Sequence, residues 1–527
     1  MKNFILIITF LIVTNLQLPA QWSTDPNNNL VIATGWDPHI VSDSAGGCYV
    51  TYNYESFYPQ KLAVERLDLY GFKPWGNKKQ ILGELPEQWQ AEIVEDGEGG
   101  VIVSYEDNEV IGTDYVTRVR VQRVDSNGNF LWGQTGVRVY VTESNHGAQE
   151  LVSDGEGGCV IVWQNIDATY WMNRINSFGQ REWGDSGIAI GNGNSKWIIR
   201  ASDGNYYVQT GLTVHRIGRE GQILNQYSVS LGYPVPDPEG GIVLSGRVWT
   251  GMIPKLVAQR KDSLGNNRWQ EPYIEIADSL YINSPINVKE INGYYYYWWY
   301  GRKNGVDLVT QYQALRLDGT KLFSQGSLPI SNYPVDALIG NILPSDLGTF
   351  VAIWQDYRPN DGVFGQRKDI LNNILWDSSD VPLYNGMYSD LFAITDGRGG
   401  AIGLGWHQFD FSIRSFKVSK NGIMGEVITN INDQHNLIFK DEIDLYQNFP
   451  NPFNSSTIIQ FQLAQENKIR IELYNILGEK IQTIVEGFYS RGMHSIDFSS
   501  DKLPSGIYLY KMETGTQTLI KKFITIK

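Results

Sequence analysis

A turn phrase that returns eight times constrains this chain more than any other feature. It is clearest at Asp154-Gly-Glu-Gly-Gly158, where an Asp opens a Gly-rich turn that leads into the apolar run Cys159 to Trp163. Versions of it begin at Asp43, Asp96, Asp154, Asp203, Asp237, Asn292, Asp346 and Asp396. The spacing is roughly 50 residues, with one shorter step after Asp203, and self-similarity at such a period marks a repeat architecture.

Each turn is followed by an alternating or wholly apolar run, such as Val101 to Tyr105, rich in β-branched and aromatic residues and therefore strand-forming. A second strand and a second turn come next. Five of these turns close on Trp: Trp75, Trp132, Trp183, Trp269 and Trp376. A short apolar segment completes the unit, which makes four strands per copy, the composition of a propeller blade. Gly serves these turns because it accepts positive φ at little cost. The Trp is expected to cover its own sheet and pack on the next, a burial worth about 2–3 kcal/mol.

The eighth copy never reaches a closing Trp. The missing half stands at the front of the chain, as Trp22 and Leu30 to Ala33. Residues 22–34 are thus expected to pair with residues 411–430 and shut the ring, removing two exposed edges. The fourth copy is short and lacks the Trp, so seven blades is the alternative to eight. The fold expected is all-β: a propeller over 21–430, a polar linker over 431–444, and a small immunoglobulin-like β-sandwich over 445–527.

Residues 1–20 carry Lys2, an apolar stretch from Phe4 to Val13 and the ending Leu18-Pro-Ala20, which reads as a secretory signal cleaved near Ala20. No later run is long enough to span a membrane. The formal net charge is −14, while the segment from 440 onward is balanced. Acidity of the repeated part argues against nucleic acid as a partner, since phosphate binding needs clustered Lys and Arg. Cys48 and Cys159 hold the same phase of the repeat and are expected as buried free thiols, too far apart to bridge.

The closing segment has its own signature. It contains Asn448-Phe-Pro-Asn-Pro-Phe-Asn454, with Pro450, Asn451, Pro452 and Phe453 inside the motif, then Leu473 to Gly478, Leu503-Pro-Ser-Gly506-Ile-Tyr508 and the basic finish Lys521-Lys522. In this order these residues resemble the C-terminal sorting domain of cargo of the type IX (Por) secretion system. The resemblance implies export by an N-terminal signal and then outer-membrane passage read from this tail. It also implies delivery to the cell surface or release, in a Gram-negative bacterium of the Bacteroidetes kind, with the type IX machinery as partner.

No catalytic motif is present: the six histidines lack metal-site spacing, and no cofactor is expected. One positional pattern suggests a ligand site. Tyr52, Tyr105, Trp163, Trp298, Trp354 and Trp406 end the strand after the turn and are succeeded by polar groups. Trp163 with Gln164, Trp354 with Asp356, and Trp406 with His407 are the candidate ligand-binding residues, as aromatic platforms beside hydrogen-bonding groups suited to a glycan or peptide. The competing reading of the same rings is core filling between blades. The chain is read as a non-enzymatic binding module. A secreted polysaccharide hydrolase or lyase, with Glu106, Asp107 and Asp356 as its carboxylates, and a structural component of an extracellular layer are the alternatives.

Overall fold

One carboxylate explains why the Asp-Gly turns fold alike. Asp154 Oδ1 accepts the backbone N–H groups of Glu156 and Gly158, each at 2.8 Å. Asp43, Asp96 and Asp396 hold their own turns in the same way. Gly155 and Gly157 have φ of 74° and 83°, a region that costs other residues strain.

A computed structural model describes residues 22–425 and 443–525, apart from short stretches at 55–59, 77–79, 83–86, 112–113, 142–145, 194–196, 250–253, 278–285, 304–306, 325, 332, 334–336, 347, 359–360, 377–379, 408, 446–447, 449–452, 454–455, 464–466, 477, 490–491, 501–502 and 516. The expected leader, most of the linker, and Pro450, Asn451, Pro452 and Asn454 lie outside the described residues. Two compact units result, 22–425 and 443–525. Among the described residues all regular structure is β-strand, so no helix is long and apolar enough to cross a membrane.

In the first unit the described residues form eight four-stranded antiparallel sheets. Sheets 1 to 7 follow chain order over 36–81, 88–138, 146–192, 198–228, 233–277, 286–329 and 337–385. Sheet 8 joins Asp390–Thr395, Ala401–His407 and Ser412–Val418 to Leu30–Thr34 from the front of the chain. Leu30 pairs with Ser415, Val31 with Arg414 and Thr34 with Ser412, as the incomplete last copy led us to expect. First strands of successive sheets touch in order, and that of sheet 8 touches that of sheet 1. The arrangement is propeller-like, with the first strands innermost.

Neighbouring sheets are joined by a recurring clasp. Trp132 Nε1 donates to Ser177 O at 3.0 Å, and its ring lies on Gly179, where a Cβ would come within 2.9 Å of the indole. Trp22 does the same to Leu69 O over Gly71, Trp75 to Ser126 O over Gly128, and Trp183 to Arg219 O over Gly221. Trp269 binds Leu317 O over Gly319, and Trp376 binds Lys420 O over Gly422. The carbonyl usually takes a second bond, from a base two residues before the turn. Arg66, Arg123, Arg260 and Arg367 reach Ser126, Ser177, Leu317 and Lys420, while Lys417 reaches Leu69. Arg66, Arg123, Arg174 and Arg260 also pair with the turn carboxylates Asp43, Asp96, Asp154 and Asp237 of their own sheets.

Two junctions lack the Trp. In sheet 4 Tyr227 replaces the Trp and lies on Gly265. Sheet 6 has Phe323, and the turn of sheet 7 that would face a Trp holds Asn372, with φ 67°, in place of Gly. Cys48 and Cys159 are buried and unlinked, in sheets 1 and 3.

The second unit has two sheets over one apolar core. Asp444–Leu445, Ser456–Leu463 and Gly492–Ser499 form one, and Lys480–Tyr489, Asn467–Asn475, Gly506–Glu513 and Thr518–Thr525 the other. Ile459, Phe461, Ile471, Leu473, Tyr510 and Phe523 fill the space between them.

Two measurements follow for the clasp. Trp132→Phe keeps most of the buried ring and loses one hydrogen bond, so it should cost about 1 kcal/mol in chemical denaturation, against about 3–5 kcal/mol for Trp132→Ala. Deleting residues 22–34 should lower the melting temperature by roughly 5–10 °C, because it removes Trp22 and the fourth strand of sheet 8; an unchanged melting curve would show that the shared sheet does not hold the unit closed.

Candidate functional site

The innermost strands supply one equivalent position per sheet, four residues before the residue that pairs across the base of the turn, which is Asp43, Asp96, Asp154, Ala201, Asp237, Ile291, Ser345 or Asp396. That position is occupied by His39, Glu92, Glu150, Trp197, Tyr233, Asn287, Asn341 and Phe392 in sheets 1 to 8. All eight are half-buried or exposed. Two residues nearer the turn the equivalent positions are Val41, Val94, Val152, Ile199, Val235, Lys289, Leu343 and Ile394, apolar in seven sheets of eight. A polar and aromatic ring therefore stands above an apolar one.

Backbone irregularity sets four of these side chains. In sheets 1, 2, 3 and 7 the first strand shifts register between Trp36 and His39, Trp89 and Glu92, Gly147 and Glu150, and Leu338 and Asn341. Each shift ends on the ring residue. Bulges of this kind re-aim a side chain and raise local twist. Asp37 and Gln90, inside two of them, have φ of 54° and 51°.

The ring is electrostatically uneven. His39 Nε2 lies 3.5 Å from Asp37 Oδ1, and its imidazole stacks on Phe392 with centroids 6.2 Å apart. Burial pulls the His39 pKa down, but the hydrogen-bonding Asp37 carboxylate and the charges of Glu92 and Asp37 outweigh it, and the net shift is upward. Trp197 Nε1 donates to Gln209 Oε1 at 2.7 Å, and the Asn287 amide nitrogen has no partner among the described residues. These groups can donate and accept hydrogen bonds beside flat apolar rings, the equipment for holding a polyhydroxylated ligand.

The aromatic positions nominated from sequence fall elsewhere. Tyr52, Tyr105, Trp163 and Trp354 share one phase and are buried between sheets, where their rings offer no open face. Trp163 stacks on Tyr140, and Trp354 Nε1 donates to Asp356 Oδ2 at 3.0 Å. In sheet 6 the residue in that phase is Trp299, not Trp298, and in sheet 8 it is Gly405, whose missing side chain makes room for the ring of Tyr388. Gln164 is half-buried opposite Gly147.

The nominated carboxylates are equally occupied. Asp356 is buried against Arg358. Glu106 is buried as well, and Asp107 meets Arg120 at 2.5 Å, although burial still pushes its carboxyl up to about 6. Trp406 and His407 are neighbours in sheet 8 with different partners. Trp406 Nε1 donates to Gly35 O at 2.9 Å, and His407 Nδ1 lies 3.1 Å from Asp410 Oδ1. Among the described residues no three His, Cys, Asp or Glu side chains gather as a metal site would need.

Three described residues of the tail motif, Asn448, Phe453 and Tyr508, are interior. Asn448 donates its backbone N–H to Tyr510 Oη and its amide to Thr457 Oγ1, at 2.8 and 2.9 Å. Phe453 is buried against Phe523 and donates its N–H to Ile524 O. Tyr508 is buried with its hydroxyl on Pro504 O, and Gly478 has φ 80° in a turn. Gly506 pairs with Thr525; Lys521 and Lys522 lie on the last strand, Lys522 exposed.

Comparison with known proteins bears on the two units differently. Comparison with curated proteins returned no match. Among solved structures, a polysaccharide lyase of family PL25, an ulvan lyase, superposes with TM-score 0.41 at 7% identity over 78% of this chain and 98% of its own. Chaetomium thermophilum Sqt1, bound to the N-terminus of ribosomal protein L10, gives 0.35 at 10% over 74% and 100%. A protein of unknown function from Dyadobacter fermentans gives 0.32 at 8% over 76% and 94%. The tail is matched by a family model, described as Secretion system C-terminal sorting domain, across 447–527. Together with the interior ties of Asn448, Phe453 and Tyr508, this match identifies the last part of the chain as a secretion system C-terminal sorting domain.

Proposed function

We propose that this chain is an exported eight-bladed β-propeller that binds a saccharide at its inner ring without transforming it, carried out of the cell by an immunoglobulin-like sorting sandwich. The leader at 1–20 is removed, the linker at 431–444 separates the two parts, and the type IX machinery delivers the protein to the cell surface or releases it. The export half rests on the sorting-domain match at 447–527. The blade number rests on eight four-stranded sheets whose first strands touch in a cycle.

The binding half rests on the ring of His39, Glu92, Glu150, Trp197, Tyr233, Asn287, Asn341 and Phe392. Aromatic rings stack on the C–H faces of pyranoses while amides, carboxylates and imidazole take the hydroxyls. A second reading, a polysaccharide hydrolase or lyase, is favoured by one observation: Glu92 and Glu150 occupy equivalent positions on adjacent first strands, each at the end of a bulge. A carboxylate pair is the minimum such chemistry needs.

Glycan arrays and affinity electrophoresis on the full chain test both. Trp197→Ala should weaken retention by about tenfold, the worth of a stacking ring. Glu92→Gln should weaken retention with no product formed by the wild type; release of reducing ends or unsaturated sugars by the wild type, lost in Glu92→Gln, would replace binding with catalysis. Truncation after Asp444 should leave the protein in the periplasm, and its normal arrival outside the cell would remove the sorting role.

A further inference from the structure

The ring does not use the hairpin that ends sheet 8, although its described residues are closely tied. Asp410 accepts the Ser412 N–H at 2.9 Å, the Ser412 hydroxyl at 2.6 Å and Arg414 Nη2 at 2.9 Å, and it faces His407 Nδ1 at 3.1 Å. Phe411 is held at φ 54°, a strained value for a residue with a Cβ, and its carbonyl accepts the Gly35 N–H at 2.8 Å. Trp406 Nε1 ties the same hairpin to Gly35 O.

On this rigid base the Phe409 ring is 82% exposed and touches only one neighbouring ring, that of His407, edge to face at 5.6 Å. With Nδ1 of His407 facing Asp410, Nε2 has no partner among the described residues. Chain register makes the hairpin continuous with the ring. Phe392, the ring residue of sheet 8, is followed two residues up its strand by exposed Asp390, which pairs with Trp406, and His407 comes next. Hairpins at the same end of sheets 3, 4, 5 and 7 also raise exposed apolar side chains, at Ile166, Leu212, Trp249 and Tyr357.

We infer that His407 and Phe409, at the end of sheet 8, form an outer subsite for a saccharide chain whose inner residues lie at the ring, with Phe409 stacking on a pyranose face and His407 Nε2 bonding a hydroxyl. The inference rests on the saccharide reading above and adds its direction: the chain leaves the ring along sheet 8. A solvated ring next to a backbone pinned at Asp410 and Phe411 needs little main-chain ordering to stack on a ligand.

The experiment uses the full chain in affinity electrophoresis against xylan, laminarin and arabinan, with Phe409→Ala, His407→Ala and Trp197→Ala. Phe178, equally exposed at 82% on a turn at the opposite end of sheet 3, supplies the control Phe178→Ala. Expected is a loss of about tenfold in affinity for Phe409→Ala and a smaller loss for His407→Ala, with melting temperatures unchanged and Phe178→Ala like the wild type. Wild-type affinity in Phe409→Ala with loss in Trp197→Ala overturns the subsite and leaves the ring. Loss in Phe409→Ala with wild-type affinity in Trp197→Ala supports the hairpin contact and overturns the ring. Equal loss in Phe178→Ala, or no retention of the wild type by any of the three polymers, overturns the subsite.

Discussion

The indole that crosses to the next sheet at six of eight junctions carries the architecture of the first unit. A carbonyl on the neighbouring turn lies beside that indole and takes its donors from the clasp, and an unpaired backbone oxygen in a buried setting would cost about 1–3 kcal/mol. The Nε1 of the Trp and the Arg or Lys of the same sheet provide them. Ring burial, two hydrogen bonds and an ion pair to the Asp of the first turn thus meet at one point. Glycine at the facing turn meets two demands at once, a positive φ and the room for a flat ring where a Cβ would collide. The two junctions without Trp contain Tyr or Phe, and sheet 6, whose first turn lacks an Asp, has Ala314 where other sheets place the base. In sheet 6 the Trp, the base and the Asp of the first turn are all absent, whereas sheet 4 keeps Arg216 paired with Asp203.

Fastening the sheets at their turn ends frees the rest of the framework for chemistry. Positions four residues up each first strand are equivalent in backbone yet carry His, Glu, Trp, Tyr, Asn and Phe. Bulges in four sheets reorient the side chain just where it enters the ring, a device that changes aim without disturbing the clasp below. The ring of side chains is consequently asymmetric on a nearly symmetric support, with carboxylates in sheets 2 and 3, amides in sheets 6 and 7 and a protonatable imidazole beside Phe392.

Periodic features were legible in the sequence, and features that depend on phase were not. The turn phrase, the closing Trp and the pairing of Leu30–Thr34 with the last copy could all be read, since each leaves a mark at fixed spacing. So could the tail motif, although only coordinates separate its interior ties, such as Phe453, from exposed Lys522. The aromatic platforms failed because a strand turns alternate residues to opposite sides. Trp406 stands five residues after Ala401 where Trp163 stands four after Cys159, and a two-residue turn at Asn292-Gly293 moves sheet 6 by one. The row of bases from Arg66 to Lys417 was countable two residues before each second turn. The bulges that set His39, Glu92, Glu150 and Asn341 left no compositional trace.

Sheet 8 draws its strands from both extremities of the first unit, and this dictates an order of events. Leu30–Thr34 is made early but has no partner until Ser412–Val418 arrives, nearly the whole unit later. Loop-closure entropy for so long a span is modest, since it grows only with the logarithm of length, so the delay is one of synthesis and delivery more than of free energy. Until then two strand edges are open to solvent and to other chains, the hazard typical of late-pairing β-structure. A polypeptide threaded across a membrane from its N-terminus would therefore emerge as an open crescent, and would become a circle only after its four-hundredth residue had passed.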